Sequence, residues 1–235
     1  MNNLIFLDTE TTGNDLAKDR LCQVCYKNLS GIYTGFFKPP VLMSVKAMSV
    51  TNITNKMLVD KEPFQGSAMK KDLEALLTDG ILVAHNALFD KAMLEAEGVV
   101  VPRFICTLRV ARHLDSDNAI AEYNLQFLRY YFDLDIDAIA HDAEGDVKVL
   151  YAVFDKLSSE IKKSGLSDDE AIAKMMDISS NPSVFKKFNF GKYKDKYIEE
   201  VAKTDRGYLQ WLLNQKLNDG GADEDWIYTL QTYLK

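Results

Sequence analysis

Apolar residues along this chain fall first into short runs with a period of two and later into stripes with a period of three and four. The opening run, LIFLDTETTG over residues 4–13, sets four apolar residues ahead of Asp8 and Glu10 and closes on Gly13, a pattern that predicts a buried strand. Two more strand-like stretches, 20–29 and 32–40, follow at connections short enough to form an antiparallel meander with the first. From Ser44 the texture turns helical, and residues 67–80 read as an amphipathic helix closed by Gly80. A short buried strand at 81–86 precedes a helix at 87–98, a strand at 104–107, and helices at 108–115 and 124–133. After His141 comes a long helix whose Val147, Leu150, Phe154, Leu157 and Ile161 form one apolar stripe. Strands first, then strands alternating with helices, predict an α/β fold with a mixed sheet flanked by helices.

A polar helix beginning near Ser167 leads into SSNPS, residues 179–183, a linker-like stretch. Beyond it the composition changes. VFKKFNFGKYKDKYIEE interleaves five lysines (Lys186, Lys187, Lys192, Lys194, Lys196) with aromatics, and two compact helical signals, DRGYLQWLLNQ and DEDWIYTLQTYL, complete the chain. The expected organisation is a main domain over 1–165, a helix and linker over 166–183, and a small basic and aromatic module over 184–235. Lysines beside Phe188, Phe190 and Tyr193 offer phosphate contacts and stacking faces for nucleic acid. Equally, the stretch reads as a solvated basic loop on a packing module with Trp211 and Trp226 in its core.

With 235 residues, 47% of them hydrophobic, the chain is long enough to bury a sizeable core. No leader pattern and no apolar run of membrane-spanning length are visible, so a soluble, cytoplasmic protein is expected. The formal charge of −7 excludes a protein that coats nucleic acid or anionic membrane by charge alone, so any such contact must be local. Three cysteines cannot all pair. Cys22 and Cys25 lie three apart on a predicted strand, which points them to opposite faces, and Cys106 is distant, so reduced structural cysteines are expected.

On a strand Asp8 and Glu10 share one face. Like charges side by side raise each other's proton affinity unless a cation compensates them, and hard oxygen ligands select Mg²⁺ or Mn²⁺ over zinc. Two other readings of this stretch stand beside that one. The acids could simply end a strand before a turn in which Gly13 supplies a positive φ. The stretch also resembles the opening motif of haloacid-dehalogenase-type phosphatases, whose second acid is normally Asp where this chain has Glu10; the later Gly145-Asp146 lacks the following acid such sites use. Further along, HNALFD places Asp90 at the start of a helix just after a buried strand. HDAEGD places Asp146 five residues after His141, at the first turn of the long helix and on the side of its apolar stripe. An acid there is either aimed at a group that wants a carboxylate or held by the helix dipole.

Taken in order, D-T-E, the Asp90 segment and H-x-x-x-x-D resemble the three motifs of the DEDDh superfamily of ribonuclease-H-like 3′-5′ exonucleases, over about the first 165 residues. The resemblance implies a ribonuclease-H-like fold in which Asp8, Glu10, Asp90 and Asp146 hold two Mg²⁺ or Mn²⁺ ions and His141 is the general base. Hydrolysing a phosphodiester requires a water deprotonated near neutral pH, neutralised phosphate oxygens and a stabilised leaving oxygen. Two ions roughly 3.5–4 Å apart supply all three, and a histidine titrates in the right range to take the proton. By the same resemblance Thr11, Thr12 and Gly13 meet the terminal nucleotide, Ile53 is an apolar contact beside its base, and His85, Asn86 and Phe89 lie near the scissile end. His85 reads alternatively as a satisfied core histidine, and His113 reads as a surface residue. Glu144 and Asn52 depart from the family pattern, standing where an apolar residue and a glycine are frequent.

The C-terminal FGKYK and YLQWL segments resemble a module appended to exonuclease-X-like proteins, which implies substrate contacts from Lys192 and Lys194; Asp195 replaces a usual glycine. The function expected is release of nucleoside 5′-monophosphates from DNA 3′ ends. An exoribonuclease or oligoribonuclease-like enzyme and a non-cleaving nucleic-acid-binding protein are the alternatives, since no motif here fixes contacts to a 2′-hydroxyl.

Overall fold

A computed structural model of the protein describes residues 3–115, 119–137, 143–218 and 223–235. Its strands are β1 (Leu4–Thr11), β2 (Leu21–Asn28), β3 (Gly31–Phe36), β4 (Ile81–Ala84) and β5 (Phe104–Cys106), in the spatial order β3-β2-β1-β4-β5. β1, β2 and β3 pair antiparallel as the meander expected from their spacing, whereas β4 and β5 run parallel to β1. The β2–β3 reversal is tight because Asn28 Oδ1 accepts hydrogen bonds from the amides of Ser30 (2.8 Å) and Gly31 (3.2 Å), a side-chain turn that asparagine makes readily. Parallel strands need long crossovers, and the chain supplies helices for them.

Those helices are α1 (Val45–Thr51), α2 (Asn55–Leu58), α3 (Ala68–Asp79), α4 (Ala87–Ala96), α5 (Thr107–Leu114), α6 (Leu125–Tyr131), α7 (Ala143–Lys162), α8 (Asp168–Ser180), α9 (Ile198–Thr204), α10 (Arg206–Asn218) and α11 (Glu224–Tyr233). Ser44, Ser67 and Asn124 cap α1, α3 and α6, each side chain accepting from a backbone amide inside the first turn. β1 is covered on both faces. Ile5 and Leu7 pack on one side with Leu73 and Leu77 of α3 and Met93 and Leu94 of α4. Phe6, on the other side, meets Tyr151 and Phe154 of α7 edge-on, each with ring centroids 5.1 Å away.

The chain forms two compact units, one of Met1–Leu114 with Glu122–Ser179, the other of Asp115–Ala121 with Ser180–Lys235. α8 is tied into the first. Ser179 Oγ accepts from the Cys106 amide at 2.7 Å, and Arg109 Nη1 donates to the Ser179 carbonyl at 2.9 Å. In the second unit α9, α10 and α11 enclose Phe188, Ile198, Val201, Leu209, Leu212, Leu213, Trp226 and Leu230. Two aromatic assignments differ from expectation. Trp226 is buried, but Trp211 is 53% exposed, because α10 turns Leu209, Leu212 and Leu213 inward and rotates residue 211 to the outside. Phe188, expected as a stacking face, is 1% exposed and belongs to the core.

All three cysteines are free and buried. Cys22 packs with Met43, Ala47, Ile53 and Leu58, while the Thr34 hydroxyl lies 3.2 Å from Cys25 Sγ. Among the described residues no helix is long and apolar enough to cross a membrane.

Candidate active site

Asp8 and Glu10 follow Phe6 at intervals of two on β1, so they share the face that α7 covers. The ladder from β1 to β2 extends to Thr11, but the ladder to β4 ends at Phe6–Val83. Beyond that point β1 has no parallel neighbour, and the chain leaving β4 turns into α4. Asn86 makes the turn in the left-handed region (φ 63°), where asparagine is tolerated, and Asp90 follows in the first turn of α4. Thr9 points away from the face of Asp8 and Glu10. Its hydroxyl donates to Asp90 Oδ1 at 2.7 Å, which fixes a carboxylate that is only 5% exposed. After Glu10 the β1–β2 register slips, with Glu10 opposite Gln23 but Thr11 opposite Leu21. Cys22 is the extra residue, and such a bulge twists the strand where the second acid must be aimed.

Asp146 enters from the first turn of α7. Gln126 of α6 donates through Nε2 to Asp146 Oδ1 at 2.7 Å, and Arg129 Nη1 donates to Gln126 Oε1 at 3.4 Å. The Phe6 contacts hold α7 against the same face of β1. Acids from three separate parts of the chain thereby meet.

The electrostatics reflect that meeting. Burial raises the Asp8 carboxyl well above the usual carboxylate range, and Asp90, Glu10 and Asp146 raise it further. Glu10 is pushed up to about 7 by burial, then by Asp146 and Asp90. Asp90 reaches about 7 through burial, tempered by the hydrogen bond from Thr9. Such acids either keep protons at neutral pH or require a cation, and their donor set of carboxylate oxygens suits a hard divalent ion. Among the described residues no three His, Cys, Asp or Glu side chains stand as a group that could hold a metal ion. Cys22 supplies no soft ligand, since burial and Glu10 push its thiol up to about 12.

His141 lies outside the described residues. The other anticipated contacts fall in different surroundings. The Thr11 hydroxyl donates to the Gly13 carbonyl at 2.7 Å and the Thr12 hydroxyl to Asp19 Oδ1 at 2.7 Å, so both are engaged within the loop. Gly13 is not in the positive-φ region; it is needed because a Cβ there would stand 2.4 Å from Asp19 Oδ2. Ile53 is 3% exposed in the cluster around Cys22. His85 is held at both ring nitrogens, Nδ1 at 2.9 Å from the Thr107 hydroxyl and Nε2 at 2.7 Å from the Tyr123 carbonyl. Burial lowers its pKa to about 4, so it is a neutral pin that donates from Nε2. Asn86 is exposed, and Phe89 packs partly on the core beside α3 and α4. His113 is exposed, and Glu144 pairs with Lys148 (2.7 Å) on the outer side of α7. Lys192 and Lys194 lie exposed in the second unit, Lys192 Nζ 3.1 Å from Asp205 Oδ2.

Thr9 and Gln126 are the two site residues that sequence reasoning missed. Thr9 was legible in part, since alternation places it opposite the acids; its partner was not.

The family model described as Exonuclease matches residues 5–154, which span β1, α4 and the first half of α7. The chain belongs to the exonuclease family. This family is of the kind that uses divalent metals, in keeping with the donor set, and membership removes the phosphatase reading. A second model, described as Exodeoxyribonuclease X-like C-terminal, matches residues 188–216. Among curated exonuclease relatives, exodeoxyribonuclease 10 of Escherichia coli K12 is 29% identical over 238 residues, covering 99% of both chains. The epsilon subunit of DNA polymerase III from Treponema pallidum is 28% identical over 158 residues, 63% of this chain and 72% of that one. Among solved structures, exonuclease X in complex with 5′ overhanging duplex DNA superposes with a TM-score of 0.58 at 24% identity, over 75% of this chain and 99% of that chain. The fold is thus the ribonuclease-H-like exonuclease fold expected from the motifs.

Proposed function

We propose that this protein is a 3′-5′ exodeoxyribonuclease in which Asp8, Glu10, Asp90 and Asp146 hold two Mg²⁺ or Mn²⁺ ions and His141 is the general base. One observation carries the reading: β1 and the first turns of α4 and α7 bring Asp8, Glu10, Asp90 and Asp146 together, where burial and then the neighbouring acids raise the proton affinity of Asp8 and Glu10. When bound, the ions supply the charge that neutralises phosphate oxygens and stabilises the leaving oxygen. His141 accepts the proton of the attacking water. The new oxygen–phosphorus bond forms as the bond to the 3′-oxygen breaks, leaving a nucleoside 5′-monophosphate and a shortened strand with a 3′-hydroxyl. Thr9 and Gln126 orient Asp90 and Asp146 from behind and touch no substrate.

DNA as the substrate is supported by the relative named exodeoxyribonuclease 10, which matches this chain from end to end. Lys192 and Lys194 of the second unit are assigned to phosphate contacts. Three free, buried cysteines suit a reducing compartment, and we place the enzyme in the cytoplasm. The deciding experiment follows matched end-labelled DNA, RNA and short oligoribonucleotides with Mg²⁺ or Mn²⁺. Mononucleotides should be released from DNA 3′ ends, with activity abolished by chelation and circular DNA resistant. Efficient cutting of circles would rule out the exonuclease reading, and faster hydrolysis of RNA would move it to the exoribonuclease alternative.

A further inference from the structure

Among the described residues of the second unit the exposed large aromatic rings are Trp211, Tyr197 and Tyr228, and Trp211 is the most exposed of them. Trp211 is 53% exposed on α10, and the exposed residues around it on that helix, Gln210, Asn214 and Gln215, are neutral and polar. The indole is buttressed by Tyr208, with ring centroids 5.5 Å apart, and Tyr208 meets Tyr193 edge-on at 4.9 Å. This short aromatic row is held from below. Tyr193 donates its hydroxyl to Asp205 Oδ2 at 2.6 Å, and the Tyr208 amide is capped by Asp205 Oδ1 at 3.2 Å. Gly191 (φ 72°) lets the Tyr208 hydroxyl lie against the backbone, since a Cβ there would come within 2.9 Å of it.

Charge gathers on the same segment. Lys192 Nζ sits 4.7 Å from the Tyr193 ring centroid and 3.1 Å from Asp205. Residues 186–196 carry five lysines against one acid, Asp195, and α10 carries Arg206 and Lys216 with no acid at all, in a chain of net charge −7. An exposed ring at one end of an aromatic row, with Lys192 on Tyr193 at its other end, in a protein that otherwise repels polyanions, has the two components of a single-strand nucleic-acid site: a stacking face and phosphate contacts. A protein partner fits less well. One indole among amides is far smaller than the roughly 800 Å² per partner that a stable interface buries.

We propose that Trp211, backed by Tyr208, is a base-stacking platform for single-stranded DNA, with Lys192 and Lys194 contacting its phosphates. The choice of DNA rests on the exodeoxyribonuclease reading above. A strand held there remains tethered to the chain that carries the acids, which raises the effective concentration of substrate without touching the chemistry.

The test uses the full chain with Ca²⁺ in place of Mg²⁺ and the anisotropy of a labelled thymidine oligonucleotide of about twelve residues. A second strand has the same phosphates but abasic residues upstream of its last three nucleotides. Trp211→Ala is expected to weaken binding of the normal strand roughly 5- to 100-fold. The abasic strand should bind wild type and variant alike, and Trp211→Phe should retain part of the affinity. Lys192→Gln with Lys194→Gln should shrink the slope of log affinity against log salt by about 0.7 per phosphate contact, whereas Trp211→Ala should leave it unchanged. Unaltered circular dichroism confirms that the exposed substitution folds. Wild-type affinity in Trp211→Ala overturns the proposal; if that variant also loses self-association, the face belongs to a second copy of the chain. Hydrolysis of a dinucleotide by the wild type tests the exonuclease reading separately. A protein that stacks DNA on Trp211 but cleaves nothing keeps the platform and loses the activity.

Discussion

Gln126 Nε2 donates to Asp146 Oδ1 at 2.7 Å, linking α6 to the first turn of α7. The acid is thereby aimed by a neutral donor that adds no charge to the site, and Arg129 orients that donor in turn. Removing such a partner typically costs a bound metal 10- to 100-fold in affinity. Gln126→Ala is therefore expected to weaken Mn²⁺ binding by about that factor, with little change in melting temperature because the side chain is only part-buried. Gln126→Glu should be worse, since it sets a further negative charge against Asp146. Calorimetric titration of both variants with Mn²⁺ decides it; wild-type affinity in Gln126→Ala would reduce the bond to packing.

The raised acids make a prediction about pH. Glu10 shifts from 4.5 and Asp90 from 3.8, each to about 7, so between about pH 4 and 7 the folded, metal-free protein binds more protons than the unfolded chain. Stability from these groups therefore falls as pH rises through that window. In chelator, Glu10→Gln should melt above wild type at pH 8 and level with it at about pH 4 and below. Excess Mn²⁺ should reverse the order at pH 8, because wild type regains a ligand. Melting curves at four pH values, with and without the ion, provide the check. Parallel profiles for the two proteins would mean that Glu10 does not share the site's charge.

Much of this site is legible in the periodicity of the chain. Alternation on β1 puts Asp8 and Glu10 on one face, and the helical stripe of Val147, Leu150 and Phe154 puts Asp146 on the side of α7 that meets β1. Both inferences are local, requiring only which way a side chain points. The Gln126–Asp146 and Thr9–Asp90 bonds are not local. They span 20 and 81 residues and depend on how α6 approaches α7 and how β1 outruns β4, which no spacing encodes. The bulge at Cys22 is invisible for the same reason, since a slip of register belongs to two strands together. Trp211 is a different case: the spacing of Leu209, Leu212 and Leu213 already turns it outward, and its size alone suggested the core.

His141 and Asp8 should separate chemistry from metal binding. If His141 only takes a proton from water, His141→Ala should lower kcat by about 10² to 10⁴ while Mn²⁺ affinity stays near wild type. Asp8, half-buried and raised in proton affinity by each of the other three acids, should lose the ions when changed to Ala. Single-turnover hydrolysis paired with Mn²⁺ titration measures both. Equal loss of Mn²⁺ from the two variants would remove His141 from the role of base.

Asn52 and Asp195 adopt the left-handed backbone that glycine bears most readily: φ is 58° at Asn52 and 67° at Asp195. The left-handed region brings Cβ close to the following carbonyl, at a cost of about 1–2 kcal/mol that asparagine and aspartate bear better than other residues. Both amides are committed there, Asn52 N–H to the Met48 carbonyl at 3.0 Å and Asp195 N–H to the Phe188 carbonyl at 2.7 Å, so the conformation cannot relax without losing a bond. Glycine would remove the crowding but free the unfolded chain by about 0.4–1 kcal/mol. Asn52→Gly and Asp195→Gly are therefore expected to be neutral or stabilising by up to about 1 kcal/mol. Asn52→Val, β-branched and unable to bond locally, should lose about 1–2 kcal/mol or more. Denaturant midpoints distinguish these outcomes. A loss above about 1 kcal/mol in either glycine variant would mean that the Asn52 or Asp195 side chain, and not its backbone tolerance, holds the turn.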